Sequence, residues 1–448
     1  MPGKGRRALT AGWRGNYARS RLSDVPPGGN WYHGPLFSED RFRVITEHPM
    51  TALERRSVSS LALLYSFRML GLFMVLPLLA LYAGDMPGAT PTLIGLALGI
   101  YGLGQALLQI PLGWLSDQVG RKPVIVGGLL LFALGSVVAA QADSLWGIVL
   151  GRALQGAGAI AATVMALVAD LTSEEQRTKA MAVVGMSIGM SFAVALVLGP
   201  AVAAWGGLAA VFWLTAGLAA AGILIVLLLV PAPTGPITDH SEVGARVGLF
   251  GRSLKNPDLA RLNFGVFALH FILMASFLVV PGLLERVAGV DRAHHWWVYL
   301  PVLFLSIAGM VPMMRQAERG GRPRAMFLLA IALLLAALLV IGMASVAAVL
   351  YLGLWLFFVG FNYLEATLPS LVSKAVFAGG KGTALGVYST CQFLGAFIGG
   401  AAGGWVVQHF GQAVLGGLCL ALAGMWGLLV QAGGRYPQPV AEPGTPRA

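Results

Sequence analysis

Charge is what this sequence has least of. Asp, Glu, Lys and Arg make up 11% of its 448 residues, against 57% hydrophobic residues, and the mean hydropathy is +0.77. A soluble domain ordinarily carries about 25% charged residues to keep its surface in water, so a soluble globular protein is excluded. Cysteine is almost as scarce. Cys391 and Cys419 lie inside apolar runs and offer neither a disulfide framework nor a metal-ligand spacing, so no metal is expected. No P-loop, HExxH helix or nucleophile elbow occurs, which argues against an enzyme and against a resident cofactor. Residues 1–50 lack the apolar core of a cleavable signal peptide.

What is present is long apolar runs. A helix needs about 20 such residues to span a bilayer. About twelve runs fit, at roughly 57–82, 91–115, 122–141, 144–170, 179–206, 207–230, 259–283, 293–314, 324–344, 346–372, 380–408 and 411–432. The runs are continuous rather than alternating, which sets aside a β-barrel, and the 60 glycines suit helices whose backbones approach closely. An all-α membrane protein in a lipid bilayer is expected. The net charge of +11 is unevenly placed: with the N-terminus inside, the connectors on that side hold fourteen Lys and Arg, and the opposite side holds Arg286 and Arg292. This follows the positive-inside rule and places both termini in the cytoplasm. It accounts for the basic balance without nucleic acid as a partner.

Residues 1–50 form a basic tail read as disordered, with attraction to anionic headgroups and a start at Met50 as the other readings. Residues 51–230 hold six runs and 259–432 six more. Between them, 231–258 carries Pro231, Pro233 and Pro236 and then polar and basic residues, as a cytoplasmic linker would; 433–448 is a short tail. A shift of 201 residues lays Glu318, Gly321 and Arg322 over Asp117, Gly120 and Arg121, so the halves look like repeats, and the second turn reads as a worn copy or as a basic loop.

The most specific local signal is Gly113–Pro123, GWLSDQVGRKP, between the second and third runs. Gly113 would permit close packing as a helix ends, and Asp117 can cap the positive end of a neighbouring helix. Gly120 frees the backbone at the turn. Arg121, with Lys122 beside it, offers a planar fork to a carboxylate. The plainer reading is a basic turn. In the fourth run, GRALQGAGAI sets Arg152, Gln155 and Gly156 inside the membrane. An arginine there costs roughly 2.5–3.5 kcal/mol on insertion scales and should face a polar interior. Gly199-Pro200 puts a proline in the fifth run, where it removes a backbone bond and is expected to bend the helix.

Glu365 is the one acid well inside a run. A bare carboxylate is costly in a bilayer and marks a functional site, either a proton carrier or a permanent ion pair. Arg68 and His270 are its candidate partners, although a lone buried histidine can equally be structural. Tyr101, Gln105 and Gln109 fall at i, i+4 and i+8, and Asn362, Tyr388 and Gln392 extend the polar set. Such stripes line a cavity or serve packing.

These motifs carry a resemblance. GWLSDQVGRKP is similar to motif A of the major facilitator superfamily and Arg152–Gly158 to its motif B. Gly199-Pro200 resembles part of its antiporter motif C, with Ala203 and Ala204 where glycines belong. The resemblance implies the major facilitator fold, twelve transmembrane helices in two six-helix bundles related by an axis along the membrane normal, working by alternating access. It implies that the motif A turn is a conformational latch between the halves on the cytoplasmic side, with Asp170 in the place of the aspartate that pairs with its arginine. Arg152 would influence a proton site. SFRMLGLFMVLPLLALY and GRALQGAGAIAATVMALVADLT narrow the likeness to the YajR-type group of drug/proton antiporters over about residues 50–432. About sixteen residues follow the last run, where that group carries a small soluble domain, so regulation by such a domain is not expected. The implied function is proton-driven efflux of small hydrophobic compounds or drugs across the bacterial inner membrane. Protons and a small-molecule substrate would be its partners and a monomer its working unit. A sugar or metabolite transporter is the alternative within the class, and a non-transporting receptor or scaffold the alternative outside it.

Overall fold

Thr51 opens the first helix. Its hydroxyl accepts from the Glu54 N–H at 3.2 Å while the Glu54 carboxylate accepts from the Thr51 N–H at 2.8 Å, a capping box that satisfies two donors at once. The computed structural model describes residues 49–231, 256–376 and 381–433. The readings made for the tails, and for the linker between 231 and 256, lie outside the described residues. Helix α1 (Ala52–Tyr82) is followed by α2 (Pro91–Val119), which starts at Thr90 with proline in its first turn, and by α3 (Arg121–Ala140). Then come α4 (Leu145–Ala157), α5 (Ala161–Asp170) and α6 (Glu174–Leu228). The second half comprises α7 (Pro257–Arg286), α8 (Trp296–Glu318), α9 (Pro323–Gly342), α10 (Ala347–Lys374), α11 (Lys381–Phe410) and α12 (Gln412–Ala432). No strand occurs among the described residues.

Helix and span are not the same unit here. The pair α4 and α5 is one span interrupted at Gly158–Ile160. The 55 residues of α6 would reach roughly 80 Å at 1.5 Å per residue, far beyond a hydrocarbon core of about 30 Å. The helix breaks at Gly206 and Gly207, the latter with φ 66°, so α6 is spans 5 and 6. Twelve spans result among the described residues, and from α7 on the span number equals the helix number. The bend expected at Pro200 is not a break: helical dihedrals run through it and fail only at the two glycines.

Packing follows small residues. The cores of the two halves are separate, one built from residues 259–426 with Leu196 added and the others almost wholly from residues 58–230. The main seam between halves joins spans 2 and 11. A Cβ on Gly95 would fall 2.2 Å from the Gly400 carbonyl oxygen, one on Gly99 2.5 Å from that of Phe397, and one on Gly404 2.3 Å from that of Pro91. Only glycine allows this backbone-to-backbone approach, the means by which membrane helices associate without a hydrophobic driving force.

The basic residues serve the ends of spans 6 and 12. Their last carbonyls lack intrahelical partners and carry the negative end of the helix dipole. Arg56 donates to Leu229 O (3.1 Å) and Leu228 O (3.3 Å), and Lys122 to Val230 O. The second half repeats this: Arg324 donates to Gln431 O (2.7 Å) and Val430 O (3.4 Å), and Arg261 to Gly433 O (3.4 Å). At the opposite ends of the spans, Trp146, Trp205, Trp297 and Trp405 are exposed, as interfacial tryptophans are.

Candidate functional site

The joint between α2 and α3 is one residue long. Gly120 has φ 97°, a left-handed conformation that side chains disfavour, and it turns the chain so that Arg121 faces back along α2. One nitrogen of the guanidinium pairs with Asp117 and donates to Ser116 Oγ at 2.8 Å; the Nε donates to Asp170 Oδ2 at 3.0 Å. A single planar fork thus gathers the ends of spans 2 and 4. Ser116, which the sequence reading did not single out, donates its own hydroxyl hydrogen bond to Gly113 O at 2.6 Å. Lys122 takes a different task, the strap to span 6. Gly113 is not tightly constrained, since a Cβ there would meet Ala162 at 3.8 Å. In the second half, Gly321 keeps the left-handed turn with φ 62°. Glu318 and Arg322, however, form no ion pair among the described residues, and Arg324 holds the strap to span 12.

Arg152 and Arg68 are buried, at 0% and 1% exposure, and both donate to backbone carbonyls of the N-terminal half. Arg152 donates to Ala97 O (3.3 Å), Leu98 O (3.5 Å) and Gln155 Oε1 (2.9 Å), and its guanidinium lies 5.0 Å from the Tyr101 ring centroid. Gln155 passes on to Ser136 Oγ at 2.8 Å. The interruption of span 4 frees carbonyls that cannot be left bare in a bilayer. Gln105 donates to that of Gly156 at 2.9 Å, and Arg68 to that of Gly158 at 3.4 Å and to the Tyr101 hydroxyl at 2.8 Å. Gly156 itself presses on the backbone of Tyr101, with its would-be Cβ 2.4 Å from that residue's carbonyl oxygen. Arg68, Tyr101 and Gln105 therefore work at the seam of spans 2 and 4. Gln109 is buried beside them with its Oε1 unpartnered among the described residues. Gly199 sits against Met74 and Leu78 of span 1, at 3.3 Å for a would-be Cβ.

Glu365 finds its partners in its own half. His270 Nε2 of span 7 is 3.8 Å from Glu365 Oε2, and Gln392 of span 11 donates to Glu365 Oε1 at 3.3 Å and meets His270 Nε2 at 2.8 Å. His270 Nδ1 is 3.1 Å from Val266 O. Beside this group, Asn362 donates to Ser306 Oγ at 2.8 Å, and Tyr388 is buried with an unpartnered hydroxyl among the described residues. Of the two cations considered for Glu365, the structure brings up His270, while Arg68 is engaged with Tyr101 and Gly158.

Sequence reasoning missed a tie on the face that is poor in basic residues. Arg292, just after span 7, pairs with Asp85, just after span 1, at 2.7 Å and with Glu285 at 3.3 Å, and it stacks over Tyr82 at 5.2 Å. The Thr92 N–H donates to Gln408 Oε1 at 3.2 Å close by. Both bonds join the halves. The available signal was the rarity of Arg286 and Arg292 on that face, next to the acids Asp85 and Glu285.

The comparisons with known proteins agree with this architecture. The model of the Major Facilitator Superfamily matches residues 61–400. The inner membrane transport protein YajR of Escherichia coli (strain K12) is 50% identical over 380 residues, 84% of this chain and 83% of that protein. The multidrug resistance protein MdtH of Aeromonas hydrophila subsp. hydrophila is 28% identical over 366 residues, covering 81% and 91% of the two chains. A solved bacterial homologue of the human lysosomal transporter Spinster, inward-facing and occupied, aligns with a TM-score of 0.69 at 14% identity, covering 87% of this chain and 98% of that one. At that identity the likeness shows the fold alone. Half the aligned residues shared with one transporter, a family match across most of the helices, and an all-helical architecture with polar groups inside the apolar spans lead to one conclusion: this chain is a multi-pass membrane transporter of the major facilitator superfamily.

Proposed function

We propose that this transporter is a proton-coupled antiporter that exports small hydrophobic compounds across the inner membrane by alternating access of the halves 51–230 and 259–432. The basic face is cytoplasmic in this reading. The observation that carries it is the placement of Glu365, the one acid well inside a span, against a titratable histidine and an amide, with one carboxylate oxygen unpartnered among the described residues. A carboxylate kept in the membrane without a Lys or Arg is poised to take up and release a proton. A proton bound there from the outer face and released to the inner one would be exchanged for substrate moving outward. The names of the relatives, an inner membrane transport protein and a multidrug resistance protein, favour export of drug-like compounds. The Arg121, Asp117 and Asp170 cluster serves as the conformational latch. Arg152 sets the local field of the N-terminal half through a fixed positive charge.

The test is proton movement in proteoliposomes on addition of substrate. Glu365→Gln should abolish substrate-dependent proton flux and leave substrate binding in place. Coupled flux at the wild-type rate in Glu365→Gln would remove the proton-carrier role. Absence of flux for a broad compound panel would remove the antiport reading.

A further inference from the structure

The role of Gln392 rests on the proposed proton site and follows from hydrogen-bond polarity. The Val266 carbonyl can only accept, so His270 Nδ1, 3.1 Å away, is the nitrogen that carries hydrogen. Nε2 then holds the ring's one free lone pair. The Gln392 amide nitrogen lies 2.8 Å from that Nε2 and 3.3 Å from Glu365 Oε1. Its two hydrogens meet two acceptors. The reversed amide would set an oxygen against both acceptors and is repulsive unless both are protonated. With Gln392 as it stands, both nitrogens of His270 are occupied. Glu365 Oε2 remains, a buried atom without a hydrogen-bond partner among the described residues, with Nε2 of His270 3.8 Å away.

We infer that Gln392 is a positioning residue that directs the coupled proton onto Glu365 by occupying the lone pair of His270. A proton on His270 Nε2 would place N–H against N–H at the Gln392 contact, so it requires the amide to turn over and to withdraw its bond from Glu365. Protonation of His270 and amide support of Glu365 exclude each other. Few other groups complicate the balance. From span 11, Tyr388 faces Glu365 with an unpartnered buried hydroxyl, and from span 10 the Phe361 ring lies 6.0 Å from the imidazole. Among the described residues no Lys or Arg forms an ion pair with either member.

Removing the amide should therefore create a competing site. In Gln392→Met the freed Nε2 takes the proton, and the imidazolium, 3.8 Å from Glu365, holds that carboxylate ionised. The pH of half-maximal substrate-dependent proton flux should fall by about one unit or more, the size of effect that an opposite charge has at such range. In Gln392→Met with His270→Asn no imidazolium can form, and the profile should return toward that of the wild type. A merely structural glutamine predicts the reverse, with the double variant worse than the single one. An unshifted profile in Gln392→Met, or a double variant that is not restored, overturns the inference.

The wild-type protein supplies a measurement that needs no variant at position 392. On acidification, infrared spectroscopy should show a protonated-carboxyl band that is missing in Glu365→Gln, while ¹⁵N spectra keep His270 neutral with hydrogen on Nδ1. Imidazolium at His270 appearing first overturns the proposal. The underlying proton-site reading fails separately, through unchanged coupling in Glu365→Gln.

Discussion

Gly95→Ala is the most informative single change, because its sign is open until magnitudes are compared. Alanine in place of a helical glycine ordinarily gains about 0.5–1 kcal/mol. Here the new Cβ would sit 2.2 Å from the Gly400 carbonyl oxygen and 2.8 Å from the Gly404 Cα, whereas ordinary contact begins at 3.4 Å. Both obstacles are backbone and cannot swing aside, so span 11 must move off by about an ångström. Overpacking of this kind costs about 1–3 kcal/mol, and the clash outweighs the helical gain. A net loss near 1.4 kcal/mol would reduce the population with the seam of spans 2 and 11 closed about tenfold relative to states with it parted. The assay is pulsed electron resonance between spin labels at the end of span 2 near Pro91 and the end of span 11 near Trp405, with Cys391 and Cys419 replaced. Gly424→Ala is the control, since nothing lies within 4 Å of a Cβ there. The expected result is a second, longer distance in Gly95→Ala and none in Gly424→Ala. A single unchanged distance in Gly95→Ala, with thermal stability at or above that of the control, would refute the reasoning.

Asp170→Asn should slow transport while leaving substrate affinity unchanged. A double-mutant cycle with Arg121→Ala should give a coupling no larger than about 1 kcal/mol, because the pair is partly exposed; an affinity defect alone would contradict a latch. Arg292→Gln and Asp85→Asn should give similar loosening of the Trp-bearing face, and high salt should reproduce part of it in the wild type by screening; salt-independent distances would argue against this tie. Lys122→Met and Arg324→Met should each lower thermal stability by about 0.3–2 kcal/mol, the range for a cation at a helix C-terminus, and by similar amounts since the two straps are repeats. A loss in one alone would deny the equivalence.

The sequence made the spans legible because a bilayer demands long, continuous apolar runs and punishes anything else. Even the division of α6 was readable, since Gly206 and Gly207 are where the fifth run gives way to the sixth. The Gly113–Pro123 turn was legible for a similar reason: its glycine, arginine and Asp117 act within a few residues of one another. Asp170 was placed by family likeness, and Arg121 does meet it. Other assignments were underdetermined. Tyr101 and Gln105 share a face with Gln109, and periodicity cannot say whether such a stripe meets water or a broken helix. The interruption of span 4 beside Gly156 and Gly158 decided that, by presenting bare carbonyls. The tie between Asp85 and Arg292 spans 207 positions, and no local pattern encodes such a pairing.

By itself, then, the sequence determined the class of molecule, the number of crossings, the asymmetry of charge and the presence of one interior acid. Each of these follows from the cost of placing polar groups in hydrocarbon, which is paid residue by residue. The tertiary structure decided which polar group meets which. Arg68 and Arg152 could each have balanced Glu365 by charge alone, yet the fold spends them on backbone carbonyls of the N-terminal half and gives Glu365 a histidine and an amide from spans 7 and 11. That choice depends on how spans 7, 10 and 11 are packed together in three dimensions, and it turns an interior acid into a candidate proton carrier.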